Sequence, residues 1–364
     1  MALSDEALIT LADYERAAGR QMDLGPHGYY AGGACDEITL ADNVAAWSRI
    51  AIRPRMLVDV SSRDSSVSVL GRRRPHPLVV APLAFQAIAH PEGEIATARG
   101  ARDAGAVMCL STLATTTPSA VAEAVPEGSR WFQLYVFSDR GVSRELVAQA
   151  EDGGYEALVV TVDLPVLGRR ERDLRSGVVA ATASLAWSAA AAGAEGPMTP
   201  ADFASLIDPS LTWEDIERFA AETTLPVLVK GILTPEDARL AHEHGAAGIV
   251  VSNHGGRQLD TVLSGADALP PIVDEVGDRL DVLVDGGIRR GTDVLKALAI
   301  GARAVMVGRP ILWGLAVEGA DGVRRVLELL LDELDLALAL AGVPQAEALD
   351  AGLVTPAPWA GPLR

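Results

Sequence analysis

A chain of 364 residues, 49% of them apolar, can bury a large core as one big α/β domain or as two ordinary ones. A formal net charge of −18 with scattered arginines argues against a phosphate-backbone partner, and so against nucleic acid. Cys35 and Cys109 stand alone, with no CxxC pair and no disulfide framework, which suits a reducing cytoplasm. The N-terminus, MALSDEALITLADYERAAGR, reads as an acidic amphipathic helix rather than a signal peptide, because no basic segment precedes an apolar one. Residues 1–76 are expected to form helices that pack on the rest of the chain. Eight short apolar, β-branched runs come next: 77–84, 106–112, 131–136, 157–163, 226–231, 248–253, 281–287 and 304–309. Each is apolar throughout rather than alternating, as expected of parallel strands covered on both faces. Helical patterns such as PEGEIATARGARDAG, TPEDARLAHEHG and GTDVLKALAIG lie between them, several opening on Pro or Thr and closing on Gly.

Eight βα units in about 230 residues indicate a (β/α)₈ barrel, here one domain over 1–364 with a helical N-terminal extension. A doubly wound sheet would use fewer strands and a glycine fingerprint after the first; no GxGxxG follows 77–84. The interval 164–225 is roughly twice the others, and about 171–212 is a candidate lid over the barrel mouth. Within it, residues 177–194 carry no charge and approach the length of a membrane span. They are mostly alanine with serine and threonine, which insert poorly, so a surface segment is the better reading than a membrane contact.

The strand C-termini of such a barrel face the active site. Polar residues crowd there: Ser111 and Thr112, Gln133 and Tyr135, Thr161 and Asp163, Lys230, Ser252-Asn253-His254, Asp285-Gly286-Gly287 and Gly308-Arg309. A purely structural barrel has no use for them, since each costs desolvation energy unless paired. Lys230 alone could be a lysine snorkelling from a strand end. In a site it is either a cation beneath an electron-rich ring or a Schiff-base nucleophile. DGGIRRG (285–291) and GRP (308–310) fall where barrels bind phosphate through glycine N–H groups and a helix N-terminus, with Arg289 and Arg309 adding charge. A phosphorylated cofactor lying across the mouth would satisfy both features. In SNHGGRQLD (252–260), His254 can serve as a general base near neutral pH, and Arg257 can clamp a carboxylate bidentately. A lone histidine is more often a satisfied core residue; Arg257 and Asp163, as clamp and orienter, tip the balance. His27, His76, His90, His242 and His244 keep the surface or helix reading. No histidine falls into metal-ligand spacing with cysteines or carboxylates.

The motifs APLAFQAIAHPEGE, FQLYV, TVDLPVLGRRERD, LPVLVKGILTPEDA, SNHGGRQLD and LVDGGIRRGTDVLKALAIGA followed by VGRP carry a resemblance. The chain resembles the FMN-dependent 2-hydroxy acid oxidase and dehydrogenase family, which includes glycolate oxidase, lactate oxidase and mandelate dehydrogenase. The likeness runs from about Tyr14 to beyond residue 340. It implies FMN and oxidation of an (S)-2-hydroxy acid to a 2-oxo acid, with oxygen or another electron acceptor. It also implies a homo-oligomer, a tetramer or octamer. His254 would be the base as a hydride equivalent passes to flavin N5, with Asp163 orienting it. Arg257 and Tyr29 would hold the substrate carboxylate, Arg170 would add a cation on the lid side, and Tyr135 would hydrogen-bond the substrate hydroxyl. Lys230 would face the flavin N1–C2=O edge and stabilise the reduced ring. Ser111, Gln133, Thr161 and Ser252 would belong to the isoalloxazine site, with Ala81, Pro82, Leu83 and Ala84 beneath the ring. Asp285 would bond the ribityl chain, and Gly287, Arg289, Gly308 and Arg309 the phosphate.

Two positions depart from the family pattern. Leu113 stands where glycolate oxidases carry tryptophan, and Phe85 stands where methionine is common. With Leu167, they suggest a roomier, more apolar pocket than glycolate needs, suited to mandelate-like or medium-chain acids, unless Trp187 from the lid fills it. Two alternatives remain at this level: an FMN-barrel isomerase, and an aldolase that uses Lys230.

Overall fold

The structure, a computed structural model, describes residues 7–176, 202 and 205–359. Three helices open the chain: α1 (Leu11–Gln21), α2 (Leu24–Ala31) and α3 (Ile38–Ser48). Thr10 caps α1 in a reciprocal box with Asp13, which satisfies donors that the first turn would leave unpaired. The helical expectation for 1–76 fails beyond Ser48. Strand β1 (Ile50–Ile52) is followed by an antiparallel hairpin of β2 (Val67–Val69) and β3 (Arg72–Arg74). The cause is local: Val67-Ser68-Val69 alternates with period two, and Leu70 and Gly71 both take left-handed φ, of 51° and 70°, to close a tight turn. β1 pairs with the C-terminal strand β12 (Val354–Pro356).

The barrel is closed by eight parallel strands: β4 (Leu78–Val80), β5 (Val107–Leu110), β6 (Arg130–Leu134), β7 (Leu158–Thr161), β8 (Val227–Ile232), β9 (Gly248–Val251), β10 (Asp281–Val284) and β11 (Ala304–Val307). Neighbours follow chain order, and β11 returns to β4 with Val305 opposite Leu78. Almost every strand residue is buried, because helices cover the outer face while side chains fill the inside. The apolar runs in the sequence extend past the strands at their C-terminal ends, as 157–163 does past Thr161. Those surplus residues form the loops that build the mouth.

Helices alternate with the strands, among them α4 (Gly93–Asp103), α5 (Pro118–Ala124), α6 (Arg140–Asp152) and α7 (Glu171–Ser176). Then come α8 (Trp213–Glu222), α9 (Pro235–Glu243), α10 (Gly265–Val276) and α11 (Gly291–Ile300). The last, α12 (Arg309–Ala341), kinks at Glu318–Gly319, where the Tyr14 hydroxyl donates to Glu318 Oε2 at 2.7 Å. Most of the candidate lid, Trp187 included, lies outside the described residues. Its far end returns to the mouth, where Ser138 N–H donates to Leu206 O and Asp208 N–H to Val136 O. No described helix is long and apolar enough to cross a membrane.

Candidate active site

A cavity of about 660 Å³ opens at the C-terminal ends of the barrel strands. Of the residues given a role in catalysis, substrate binding or FMN binding, all but three line it; Asp163, Gln133 and Ser252 stand just behind the wall. Asp163 backs His254, whose Nδ1 lies 2.8 Å from Asp163 Oδ1. Ser252 backs Lys230, with Nζ donating to Oγ at 2.6 Å. Gln133 backs Ser111, whose hydroxyl donates to Gln133 Oε1 at 3.1 Å.

The His254–Asp163 contact fixes the tautomer. An ionised carboxylate only accepts, so Nδ1 carries the proton and Nε2 keeps its lone pair. Nε2 sits 3.3 Å from the Tyr135 hydroxyl, which can donate to it. Burial pulls the imidazole pKa below its ordinary value, although Asp163 opposes the shift. Burial of Asp163 is in turn outweighed by His254 and Lys230, so its carboxyl lies below the usual range. Both directions favour a neutral imidazole on an ionised carboxylate, an arrangement that can accept a proton at Nε2. Backbone geometry serves the pair. His254 itself adopts φ 59°, a strained value for a side chain-bearing residue, followed by Gly255 at 64° and Gly256 at 72°. A Cβ on Gly231 would stand 2.7 Å from Asp163 Cβ, so only glycine lets β8 pass there.

Besides the exposed Arg169, four arginines face the cavity, and among the described residues each of the four donates only to neutral oxygens. Arg257 Nη1 donates to Tyr29 O and Gly32 O at 2.6 and 3.0 Å, and the guanidinium lies 4.8 Å from the Tyr29 ring centroid. Arg170 donates to Arg257 O and Gln258 Oε1. Arg309 donates to Tyr30 O and Gly32 O, and Arg289 to Ile288 O. Burial, joined by repulsion from neighbouring guanidiniums, lowers the pKa of Arg170 to about 10 and of Arg309 to about 9. Four guanidiniums crowd a cavity whose lining, besides Asp285 beside Lys230, offers them one carboxylate, Asp173, and this excess of cations makes the cavity a receptor for anions. On the glycine side, Gly287 has φ 79°, and a Cβ there would fall 1.8 Å from Asn43 O. Helix α3 is thus pressed directly onto the DGG loop.

Lys230 is buried, with Nζ 2.9 Å from Asp285 Oδ2. Burial works against its charge, but Asp285 and Asp163 outweigh it and hold the ammonium above its ordinary pKa. A protonated ammonium is no amine nucleophile, so the aldolase alternative loses its chemistry. Three buried atoms on the neighbouring strand ends lack hydrogen-bond partners among the described residues: Gln133 Nε2, Thr161 Oγ1 and Asp285 Oδ1. Orphaned polar atoms at this density in one wall point to a polar group they are built to meet.

Comparison with known proteins offers a candidate for that group. Residues 18–356 match the family model described as FMN-dependent dehydrogenase. The chain belongs to the FMN-dependent dehydrogenase family. The L-lactate oxidase of Nostoc sp. is 50% identical, over 94% of this chain and 96% of its own. The human 2-hydroxyacid oxidase 1 is 47% identical, over 97% and 98%. A solved structure, mandelate oxidase with (S)-4-hydroxymandelic acid, superposes with a TM-score of 0.88 at 45% identity, covering 94% of this chain and 97% of its own. The protein is thus an FMN-dependent oxidoreductase.

The wall fits FMN. Gln133 Nε2 and Thr161 Oγ1 are an unused donor and an unused hydroxyl for a heteroaromatic edge, and Asp285 Oδ1 is an unused acceptor for a hydroxylated chain. Arg289, Arg309 and the cavity-lining glycines Gly287 and Gly308 suit a phosphate. Sequence reasoning missed Leu164, Leu174 and Ile207, which add apolar wall, and Asp173, which adds a carboxylate. Asp173 had a signal, since it follows Arg170 by one helical turn. Ile207 had none, because it arrives from the far end of a long loop.

Proposed function

We propose that the protein oxidises an (S)-2-hydroxy acid to the 2-oxo acid, and that His254 is the base. The observation that carries this reading is one cavity holding an imidazole Nε2 lone pair, two arginines that donate only to neutral oxygens among the described residues, and an apolar wall. The substrate carboxylate meets the parts of the Arg257 guanidinium not engaged with backbone carbonyls, with Arg170 adjacent and the Tyr29 ring beneath. The substrate hydroxyl meets Tyr135 and His254 Nε2. His254 accepts a proton as the C–H and O–H of the substrate carbon give way to a carbonyl. Asp163 then holds the imidazolium by the charge it already carries. FMN, when bound, supplies the two-electron acceptor. Dioxygen is the final acceptor in this reading, supported by the relatives' naming as oxidases.

Arg257→Lys keeps the charge but loses the planar fork and its two carbonyl anchors. We expect KM to rise and kcat/KM to fall roughly ten- to hundredfold, the worth of a charge-assisted hydrogen bond. Steady-state kinetics decide: an unchanged kcat/KM would move the carboxylate site to Arg170.

Substrate size follows from the wall. Leu113, Phe85, Leu164, Leu167, Leu174 and Ile207 all line the cavity. Each buried methylene contributes about 0.8 kcal/mol. Mandelate or medium-chain 2-hydroxy acids should therefore exceed glycolate in kcat/KM by about tenfold or more, the worth of roughly two methylenes. The test is the visible spectrum of the purified protein, then anaerobic bleaching and kinetics with glycolate, (S)-lactate, 2-hydroxyoctanoate and (S)-mandelate. A protein that takes up no FMN, or one that bleaches with none of the four, would sink the function. Glycolate as the best substrate would sink only the size argument.

A further inference from the structure

One ionisable group in the cavity wall has no part in the chemistry above. Asp173 lies on α7, one helical turn after Arg170, and lines the same cavity. Its Oδ1 is buried without a hydrogen-bond partner among the described residues. The nearby guanidiniums are committed to other oxygens, Arg170 to Arg257 O and Gln258 Oε1, and Arg257 to Tyr29 O and Gly32 O. Burial raises the Asp173 carboxyl pKa, while Arg257 and Arg170 oppose the rise. A carboxylate with one buried oxygen unpartnered beside a binding cavity is costly to keep, and its contribution is sought in what it does to ligands.

We propose that Asp173 sets the charge specificity of the pocket, rejecting 2-hydroxy acids that carry a second carboxylate. Arg170 and Arg257 bring two positive charges to this side of the cavity. One substrate carboxylate and Asp173 balance them. A second carboxylate would meet Asp173 as a like charge in a poorly screened space, where among the described residues Arg170 and Arg257 are already matched by Asp173 and the first carboxylate. Arg169, also on this wall, is exposed and faces Glu171 at 3.8 Å. Arg172 is engaged by Glu37. A neutral or apolar side chain suffers no such repulsion.

The inference rests on the 2-hydroxy acid reading, and the experiment separates the two. FMN-loaded wild type, Asp173→Asn and Asp173→Ser are assayed with (S)-2-hydroxyglutarate and (S)-2-hydroxyhexanoate. The ratio of kcat/KM, glutarate over hexanoate, should rise roughly tenfold or more in both variants, the usual scale for relieving a close like-charge contact. Kd values for 2-oxoglutarate and 2-oxohexanoate, read from the flavin absorbance, should shift the same way without turnover. A merely structural role would lower both substrates in parallel and leave the ratio unchanged, which overturns the proposal. So does wild-type holoenzyme that binds 2-oxoglutarate as tightly as 2-oxohexanoate, a result that needs no variant to fold. Failure of wild type to turn over 2-hydroxyhexanoate would instead sink the functional reading, and this inference with it.

Discussion

His254→Ala should retain FMN and lose substrate-driven flavin reduction by roughly 10²–10⁴-fold, the usual contribution of a positioned general base. His254 is the cavity-lining imidazole with a lone pair on the open side, since Asp163 takes the Nδ1 proton. Removing it leaves Tyr135, whose phenol pKa burial raises still further, so the phenol is no substitute base. The residues proposed to meet FMN, Gln133, Thr161 and Asp285, are untouched by the change, so the cofactor should stay. Anaerobic stopped-flow bleaching with a good substrate measures the loss; near-normal bleaching would show that another group takes the proton. The pH profile tests the same assignment in the wild type. A base works in its neutral form, and burial lowers the pKa of this one. The acid limb of kcat/KM should therefore fall below the ordinary histidine value of about 6.5, with activity lost only as pH drops through it.

Lys230→Met should be both destabilising and inactivating, and the two effects should separate. The ammonium bonds Asp285 at 2.9 Å and Ser252 at 2.6 Å, while the other Asp285 oxygen is already unpartnered. Methionine would strand a buried carboxylate, at a cost of about 3–5 kcal/mol. Denaturant unfolding should show that loss, and FMN content should drop with it. Adding Asp285→Asn removes the stranded charge and should restore much of the stability. Turnover in the double variant should stay about 10²–10³-fold down, because a preorganised cation facing the site of charge development has gone. A single variant as stable and active as wild type would remove Lys230 from the machinery. A double variant that regains activity would make its role purely structural.

The barrel was legible because its strands are buried on both faces and so read as unbroken apolar runs, Leu158-Val-Val-Thr161 being a clear case. Most of the candidate site was legible too, for polar residues at the ends of apolar runs are costly to bury and so stand out, although Thr112 and Asn253 prove to be buried outside the cavity lining. The hairpin 67–74 was not, because two three-residue strands give periodicity little to work on. Asn43 was beyond reach for another reason. Its amide pairs reciprocally with Asn253, at 2.9 and 2.7 Å, and its carbonyl presses on Gly287. Nothing local in α3 marks that residue; the partner lies across the fold, and only packing brings the two together. Asp173 hides inside a run of charges, Arg169-Arg170-Glu171-Arg172-Asp173, that reads equally well as a solvated helix face.

The guanidinium of Arg309 reaches across to the carbonyls of Tyr30 and Gly32, and Arg257 reaches Tyr29 and Gly32. The mouth is therefore stitched from the two ends of the barrel-forming chain. During synthesis the early segment leaves the ribosome long before its partners exist, and chains fold from the N-terminal side as they emerge. Contacts between such distant segments also carry the largest loop-closure cost and form late. A chain released just short of Arg309 would hold all eight barrel strands, yet its opening helices would lack the last guanidinium that fastens them over the cavity. Cofactor capture then belongs to the finished polypeptide, and a substitution at Arg309, at the start of α12, can show itself first as loosened helices at the beginning of the chain.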